Sequence, residues 1–357
     1  MIGMVASESP TGTVYRAGII GCGRIADTIE DELVRAPAWS LLPYSHAGAY
    51  QRCTRTHLMA AADLNRERLE TFGRRRGVER LYADYREMLD REHLDIVSIC
   101  VPTRAHAAVA LDVAEWPVKA IYLEKPIAQS LGDADRMIAA FHARGIKVAV
   151  NHVRTWDPTY GAVRRLIAGG AIGPMRLVVA HFREGALFGG THLYDLVRSL
   201  LGAEPEWVFG ELESATGAFD PGARGIVGFP GGVRVYVNCS EEPLQFELDL
   251  IGTDGRIRVG NGIYPELWQV DRSGPQRMLV RRGFPGVHDG RSGMLRAVED
   301  LIAAIETGSK PASNEIDARA DLGIAVALHL SHRSGERVRL PVTTTDYVIE
   351  DPWGRDS

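Results

Sequence analysis

The stretch YRAGIIGCGRIADTIEDEL, residues 15–33, constrains the fold more than any other part of the chain. An apolar strand pattern runs straight into Gly21-Cys22-Gly23-Arg24-Ile25-Ala26, and a helical pattern follows. This is G-x-G-x-x-A in a strand–turn–helix context, a dinucleotide-binding turn. Gly21 permits the tight turn, and Gly23 lets a pyrophosphate approach the backbone without a Cβ in the way. Ala26 allows close helix–sheet packing. The amide groups of the first helical turn, where Arg24 and Ile25 stand, are unpaired and face the phosphates.

The next strand pattern, HLMAAADLN, ends at Asp63. An acid there accepts hydrogen bonds from the adenosine ribose and repels a 2′-phosphate, so NAD is expected rather than NADP. Arg66 is the nearby group that would tolerate NADP. Asp63 lies further from the glycines than the usual ~20 residues, and an inserted segment at 36–55 accounts for the excess.

Strand patterns at 16–20, 58–62, 96–101, 120–123 and 147–150 alternate with helical patterns at 25–33, 66–74, 85–90, 106–114 and 132–143. Such alternation predicts βαβ units and a doubly wound parallel sheet, with the ligand crevice at the carboxyl ends of its strands. After residue 151 the rhythm changes. Helices are expected at 158–168 and 192–201, with a strand at 176–181 between them. Short strands with turn signals fill 207–280, which predicts a large, mostly antiparallel open sheet in an α+β domain. Helices at 293–306 and 316–334 and a strand at 338–340 close the chain. The expected organisation is a flexible N-terminus (1–13), a dinucleotide-binding domain (14–150), a substrate-binding and oligomerisation domain (151–345) and a tail (346–357).

A chain of 357 residues exceeds what one hydrophobic core normally serves, in keeping with two domains. The net charge of −5 comes without any sustained basic run, so no nucleic-acid partner is expected. Arg74, Arg75 and Arg76 read as a solvated helix end. Cys22, Cys53, Cys100 and Cys239 lack metal-ligand spacing, so no metal site or disulfide framework is expected. The first dozen residues lack a signal-peptide pattern and no apolar run would span a bilayer, so a cytoplasmic location without membrane association is expected.

Further motifs occur in a fixed order: DIVSICVPTRAHAAVAL (95–111), YLEKPIA (122–128), NHVRTWDPTY (151–160), GGTHLYDLVRSLLG (189–202) and a closing ARADLGIAVALHLSHRSGERVRLPV. Together with the glycine turn and Asp63, they resemble the glucose–fructose oxidoreductase, inositol dehydrogenase and MocA family (Gfo/Idh/MocA) over nearly the whole chain. The resemblance implies NAD(P)-linked oxidation or reduction at a secondary alcohol of a sugar, sugar derivative or polyol. It also implies a C-terminal sheet that walls the substrate pocket and joins subunits into a homodimer or homotetramer.

Lys125 ends a parallel strand on the crevice edge, where a cation stabilises negative charge developing on the reacting oxygen. It stands in the Glu124-Lys125-Pro126 triplet typical of the family, and the resemblance places Glu124 and Lys125 among the cofactor contacts. His192, at the family's H-x-x-D position, is the candidate general acid/base. Asp195 shares its helix face and is positioned to orient His192 or to contact Lys125. The family often has an Asp four residues before this histidine, where the present chain has Phe188. That change removes a polar group, adds an aromatic wall and points away from inositol towards a different or less polar substrate. Thr191 offers a replacement hydroxyl, and Arg154 a group for substrate hydroxyls or an acid. Pro102, Thr103 and His106 belong to the loop that lines the nicotinamide pocket in the family, although His106 reads equally as a core histidine. His46, His152 and His288 read as structural or supporting groups. Two alternatives stay open: an enzyme that retains NAD and cleaves a glycosidic bond through transient oxidation, and a non-catalytic NAD-binding sensor.

Overall fold

The glycine turn expected at 21–26 lies at the centre of a six-stranded parallel sheet. The protein is described here from a computed structural model covering residues 12–34, 41–183, 185–213, 220–239, 246–261, 263–286 and 289–350. His288 and the ends of the chain, 1–11 and 351–357, lie outside the described residues.

The first sheet comprises β1 (Tyr15–Ile20), β2 (Thr56–Ala62), β3 (Arg80–Tyr82), β4 (Ile96–Ile99), β5 (Ala120–Leu123) and β6 (Lys147–Val150). Its order is β3-β2-β1-β4-β5-β6. Strand order reverses between β1 and β4, and such a switch point opens a crevice beyond the strand ends. β4 and β5 are buried at every position, as befits a sheet covered on both faces.

A short π-helical turn, Arg24–Thr28, leads into α1 (Ile29–Leu33). The other helices of this half are α2 (His46–Arg52), α3 (Arg66–Arg76), α4 (Tyr85–Glu92), α5 (Thr103–Val113) and α6 (Leu131–Arg144). Side chains of Ser45, Asn65, Asp84 and Ser130 cap α2, α3, α4 and α6, and Gly77 and Gly145 end α3 and α6 in the left-handed region. Two elements escape the sequence patterns. β3 is a three-residue edge strand without an apolar run, and α2 is a short helix within the inserted segment. β4 stops at Ile99, and α5 begins at Thr103 because Pro102 is its N-cap.

Arg74 and Arg75 are exposed, as expected of a solvated helix end, but Arg76 is largely covered, and Arg75 and Arg76 both reach inward. Both guanidinium groups grip Asp27, which is 1% exposed, with Nε–Oδ distances of 2.8 and 2.6 Å. Arg76 also reaches Glu30 at 3.0 Å. A buried carboxylate without such a partner costs several kcal/mol, so this clamp secures the helix that follows the glycine turn.

The second half contains α7 (Pro158–Ala168), β7 (Met175–Phe182), α8 (Gly190–Leu201), β8 (Trp207–Leu212), β9 (Ala223–Gly228), β10 (Arg234–Cys239), β11 (Phe246–Gly252), β12 (Gly255–Gly260), β13 (Ile263–Asp271) and β14 (Met278–Arg282). It closes with α9 (Gly293–Thr307), α10 (Glu315–Ser334) and β15 (Val338–Arg339). The nine strands run β14-β13-β12-β11-β7-β10-β9-β8-β15, antiparallel except for β7 beside β10. Inner-face residues such as Val178, Val235, Val237, Leu248 and Leu250 share a core with Leu193 and Val197 of α8 and with Leu322 and Val326 of α10. The outer face carries paired charges, Arg256–Asp249 and Arg258–Glu247, beside a registered row of Val179, Tyr236, Ile226 and Phe209.

α9 returns to the first sheet, packing Met294, Val298, Leu301 and Ile302 with Ile19, Tyr122 and Ala149. Residues 341–350 cross back as well. The Ile349 amide donates to the Gln129 carbonyl at 3.0 Å, and Ile349 is buried, so the expected tail is packed as far as 350. Among the described residues no helix is long and apolar enough to cross a membrane.

Candidate active site

The glycine turn has the geometry its sequence demands. Gly21 adopts φ +89°, and a Cβ on it would lie 2.7 Å from the Cys100 carbonyl oxygen. A Cβ on Gly23 would meet no atom within 4 Å. Space is therefore kept open on the side where a pyrophosphate approaches, and no side chain caps the following turn. Asp63 stands at the carboxyl end of β2. Its Oδ2 accepts from the Cys22 amide at 2.8 Å and its Oδ1 from the Asn65 amide at 2.7 Å. Arg68 approaches Asp63 at 3.7 Å, whereas Arg66 pairs with Glu70 along the helix. Arg24, at the mouth of the turn, holds Glu32 at 2.7 Å. The residues present fit a dinucleotide: a bare glycine cradle, uncapped amides and an acid at the neighbouring strand end.

Thr103 and His106 are buried in the first turns of α5. The two ring nitrogens of His106 lie 2.8 Å from the Pro126 carbonyl and 2.9 Å from the Val101 carbonyl. His106 thus stitches the loop after β4 to the loop after β5. Glu124, expected among the cofactor contacts, turns its carboxylate inward. Its Oε1 accepts from His46 Nε2 at 2.9 Å and Asn151 Nδ2 at 2.6 Å. His46 Nδ1 in turn meets the Ser98 hydroxyl at 2.8 Å. Burial raises the Glu124 pKa, but His46, Asn151 and Lys125 outweigh it and hold the carboxyl below its ordinary value.

Lys125 follows directly, half-buried, at the end of β5. Its Nζ donates to the Phe188 carbonyl at 3.1 Å and sits 3.1 Å from the centre of the Phe188 ring. Thr191, His192 and Asp195 lie in the first two turns of α8 and are all buried. His192 packs edge-on against Phe182 and His152, with ring centroids 5.9 and 5.7 Å away. Burial pushes the His192 pKa well down, and the charges of Lys125, Arg154 and His152 push the same way. Arg154 lies over the Phe246 ring at 3.8 Å and the Phe182 ring at 5.0 Å. A cleft beside it is lined by Tyr44, Asp157, Tyr160 and Asn261.

Asp195 was expected to orient His192 or to reach Lys125. The structure places it elsewhere. Its Oδ1 accepts from Ser313 at 2.9 Å and lies 3.4 Å from His152 Nδ1, and its Oδ2 accepts from Thr155. His152, which the sequence left as a supporting group, is therefore at the centre of the site. Its only sequence signal was its place just past a parallel strand, next to Arg154. Asp321 of α10 was not singled out at all. It lies 3.0 Å from Arg198 and 3.9 Å from His152. His152, Asp195 and Asp321 bring possible metal-ligand atoms within 4.8 Å of one another, and the Arg198 guanidinium already supplies positive charge there.

Among the described residues, buried polar atoms without a protein partner concentrate here. They include His152 Nε2, Arg154 Nε, Thr191 Oγ1, His192 Nδ1 and Asp321 Oδ2. Such atoms are rare in folded proteins, and each is satisfied by an ordered water or ion, stores strain, or serves binding or catalysis.

Residues 15–152 match a family model described as an oxidoreductase family with an NAD-binding Rossmann fold, Gfo/Idh/MocA. The dTDP-3,4-didehydro-2,6-dideoxy-alpha-D-glucose 3-reductase of Streptomyces violaceoruber is 31% identical over 73% of this chain and 77% of its own length. The D-apiose dehydrogenase of Paraburkholderia graminis is 24% identical over 94% and 92%. Among solved structures, the aldose-aldose oxidoreductase of Caulobacter crescentus, complexed with glycerol, superimposes with a TM-score of 0.78 at 20% identity. That match covers 92% of this chain and all of the other.

Proposed function

The chain belongs to the Gfo/Idh/MocA family of NAD-binding oxidoreductases, enzymes of CH–OH groups, and from that premise we propose the following chemistry. The protein uses NAD to exchange a hydride with a secondary alcohol, or its ketone, on a sugar or sugar derivative. Residues 14–150 serve as the dinucleotide-binding unit and 151–345 as the substrate unit, with α9 contributed back to the first.

The observation that carries this reading is that His192 and Arg154 both pack against Phe182, with Lys125 seated on Phe188 just before the His192 helix, amid buried polar atoms that have no protein partner among the described residues. A bound nicotinamide supplies the hydride acceptor. Gly21, Gly23, Arg24, Ile25 and Asp63 would hold the adenosine and pyrophosphate end of the dinucleotide, and Pro102 and Thr103 would border its nicotinamide end. In the oxidation direction, unprotonated His192 takes the hydroxyl proton as hydride leaves the same carbon. Lys125 hydrogen-bonds the oxygen and stabilises the negative charge that develops on it. Thr191 and Arg154 bind further hydroxyls.

Phe188 favours a substrate with an apolar stretch, such as a deoxygenated carbon, beside the reacting centre. The Streptomyces relative is named as a reductase of a dideoxy sugar nucleotide, in keeping with that preference. Asp63, with both carboxylate oxygens fixed, favours NAD over NADP. A second copy of the chain is proposed to cover the outer row of Phe209, Ile226, Tyr236 and Val179, where Tyr236 is 45% exposed.

The test is nicotinamide absorbance with NAD or NADP across sugars, deoxy sugars and polyols. Reduction of NAD is expected, falling about 10²–10⁴-fold in Lys125→Ala and in His192→Ala. Tightly held NAD with no turnover of any alcohol, together with cleavage of a glycoside, would replace this reading with transient-oxidation glycoside cleavage.

A further inference from the structure

Among the groups assigned to substrate hydroxyls, Arg154 stands apart, because it brings a charge that nothing beside it answers. It is 8% exposed, and no carboxylate among the described residues comes within 4.0 Å of it. Its guanidinium lies over Phe246 at 3.8 Å and Phe182 at 5.0 Å, two rings that pack edge-on at 4.9 Å. Its Nε is buried without a hydrogen-bond partner. Aromatic faces offset only part of the cost of burying a charge, and a guanidinium cannot shed its proton to escape the rest. Covered arginines elsewhere in this protein are paired. Arg198 meets Glu204, Asp317 and Asp321, and Arg76 meets Asp27 and Glu30.

We propose that Arg154 seats a carboxylate of the substrate, so that the alcohol handled in this crevice belongs to a sugar acid rather than to a neutral sugar. The proposal rests on the reading of the crevice as the site of a sugar derivative. A hydroxyl on Arg154 would satisfy Nε and leave the charge, whereas a carboxylate answers both. Its two oxygens also match the paired N–H groups along a guanidinium edge. Asp157 lines the same cleft, with its Oδ1 taken by the Thr159 amide at 2.7 Å. One guanidinium beside that acid suits a singly charged carboxylate better than a doubly charged phosphate.

The surroundings of the reacting centre agree with an acidic ligand. The groups whose charge acts on His192 are Lys125, Arg154 and His152, all of them basic. Two acids close by are turned to other partners. Glu124 accepts from His46 and Asn151, and Asp195 from Thr155 and Ser313. Arg154 and His192 both pack against Phe182, so one small molecule can meet them together. Thr191 Oγ1 and His192 Nδ1, buried without protein partners, remain for its hydroxyl groups.

The test is calorimetric titration of the full chain with NADH present, which blocks turnover of an alcohol. The probes are five- and six-carbon aldonates and uronates and their deoxy forms, each paired with the polyol or aldose that lacks the carboxylate. At least one acid should bind about 10–100-fold more tightly than its neutral counterpart, the range of a charge-assisted contact. Arg154→Gln should erase that difference. Arg154→Lys keeps the charge without the planar fork and should retain part of it. Equal binding of acids and neutral counterparts by the wild-type protein overturns the proposal. So does an acid preference that survives Arg154→Gln, or tighter binding of glucose 6-phosphate than of every acid. If melting shows either variant to be misfolded, the wild-type comparison still decides. Turnover of neutral sugars with no preference for acids overturns the carboxylate seat and leaves the dehydrogenase reading intact. Arg154-dependent binding of an acid without hydride exchange with any alcohol overturns that reading and leaves the carboxylate seat standing.

Discussion

The ammonium of Lys125 rests on Phe188 twice over, 3.1 Å from its ring centre and 3.1 Å from its carbonyl oxygen. One residue therefore holds the cation through both backbone and side chain. An aromatic face attracts an ammonium by about 0.5–2 kcal/mol, depending on solvation, and offers a substrate hydroxyl no strong acceptor. Phe188→Leu keeps the carbonyl and loses the ring, so kcat should fall roughly 2–30-fold. Phe188→Asp should instead raise kcat/KM for fully hydroxylated polyols relative to deoxy sugars. Equal ratios in wild type and Phe188→Asp would dismiss the ring as a specificity element.

Gly21 and Gly23 separate folding from cofactor binding. Gly21→Ala places a Cβ against the Cys100 carbonyl at a φ that side chains disfavour, so the melting temperature should drop by several degrees even without NAD. Gly23→Val extends into open space and should leave the melting temperature of the cofactor-free protein unchanged. Its NAD affinity should fall roughly tenfold or more. Calorimetric melting and NAD titration of both variants decide the matter.

Asp63 joins β2 to the glycine turn through the Cys22 amide. Asp63→Ala removes a charged acceptor from both the turn and the ribose, so KM for NAD should rise about 10–100-fold. With the acid gone, Arg68, which lies 3.7 Å from it, becomes available to a 2′-phosphate. The NADP-to-NAD ratio of kcat/KM should therefore increase, and an unchanged ratio would remove Asp63 from cofactor choice.

Asp321 and Glu124 give stability opposite dependences on pH. The Asp321 carboxyl titrates near 8 when folded, against an ordinary value of 3.8, so the unfolded chain loses that proton first. Stability is lost progressively as pH rises from about 4 to 8. Asp321→Asn keeps an acceptor for Arg198 and removes this loss, so its melting advantage over wild type should grow across that window. Glu124 is depressed below 4.5, so its contribution is present above that pH and lost below it. Glu124→Gln should flatten the acid side of the melting profile, and a wild-type slope there would reject the assignment.

Much of the first sheet was readable because its evidence is local. Runs such as Ala120–Leu123 and Lys147–Val150 are apolar, bounded and spaced by helical patterns, and they form strands with those bounds. β3 was not readable, since Arg80–Tyr82 is too short to show a period and its pairing comes from β2. The covering of Arg76 and the partner of Arg75 were not readable for a related reason. A helix end rich in arginine reads as solvated until Asp27, 48 and 49 residues away, is brought beneath it.

By itself, then, the sequence determined the glycine turn, the order of the parallel strands' segments, the change to an antiparallel half, and the presence of Lys125 and His192. These depend on turn conformation and periodicity over a few residues. Only the tertiary structure decided which acid serves which histidine. Asp195 and His192 lie three residues apart on one helix, and the sequence reading paired them. Yet Asp195 takes Thr155 from 40 residues away and Ser313 from 118 residues away, and faces His152. A buried carboxylate settles where the most donors converge, and that convergence exists only once β6, α8 and the start of α10 have packed together.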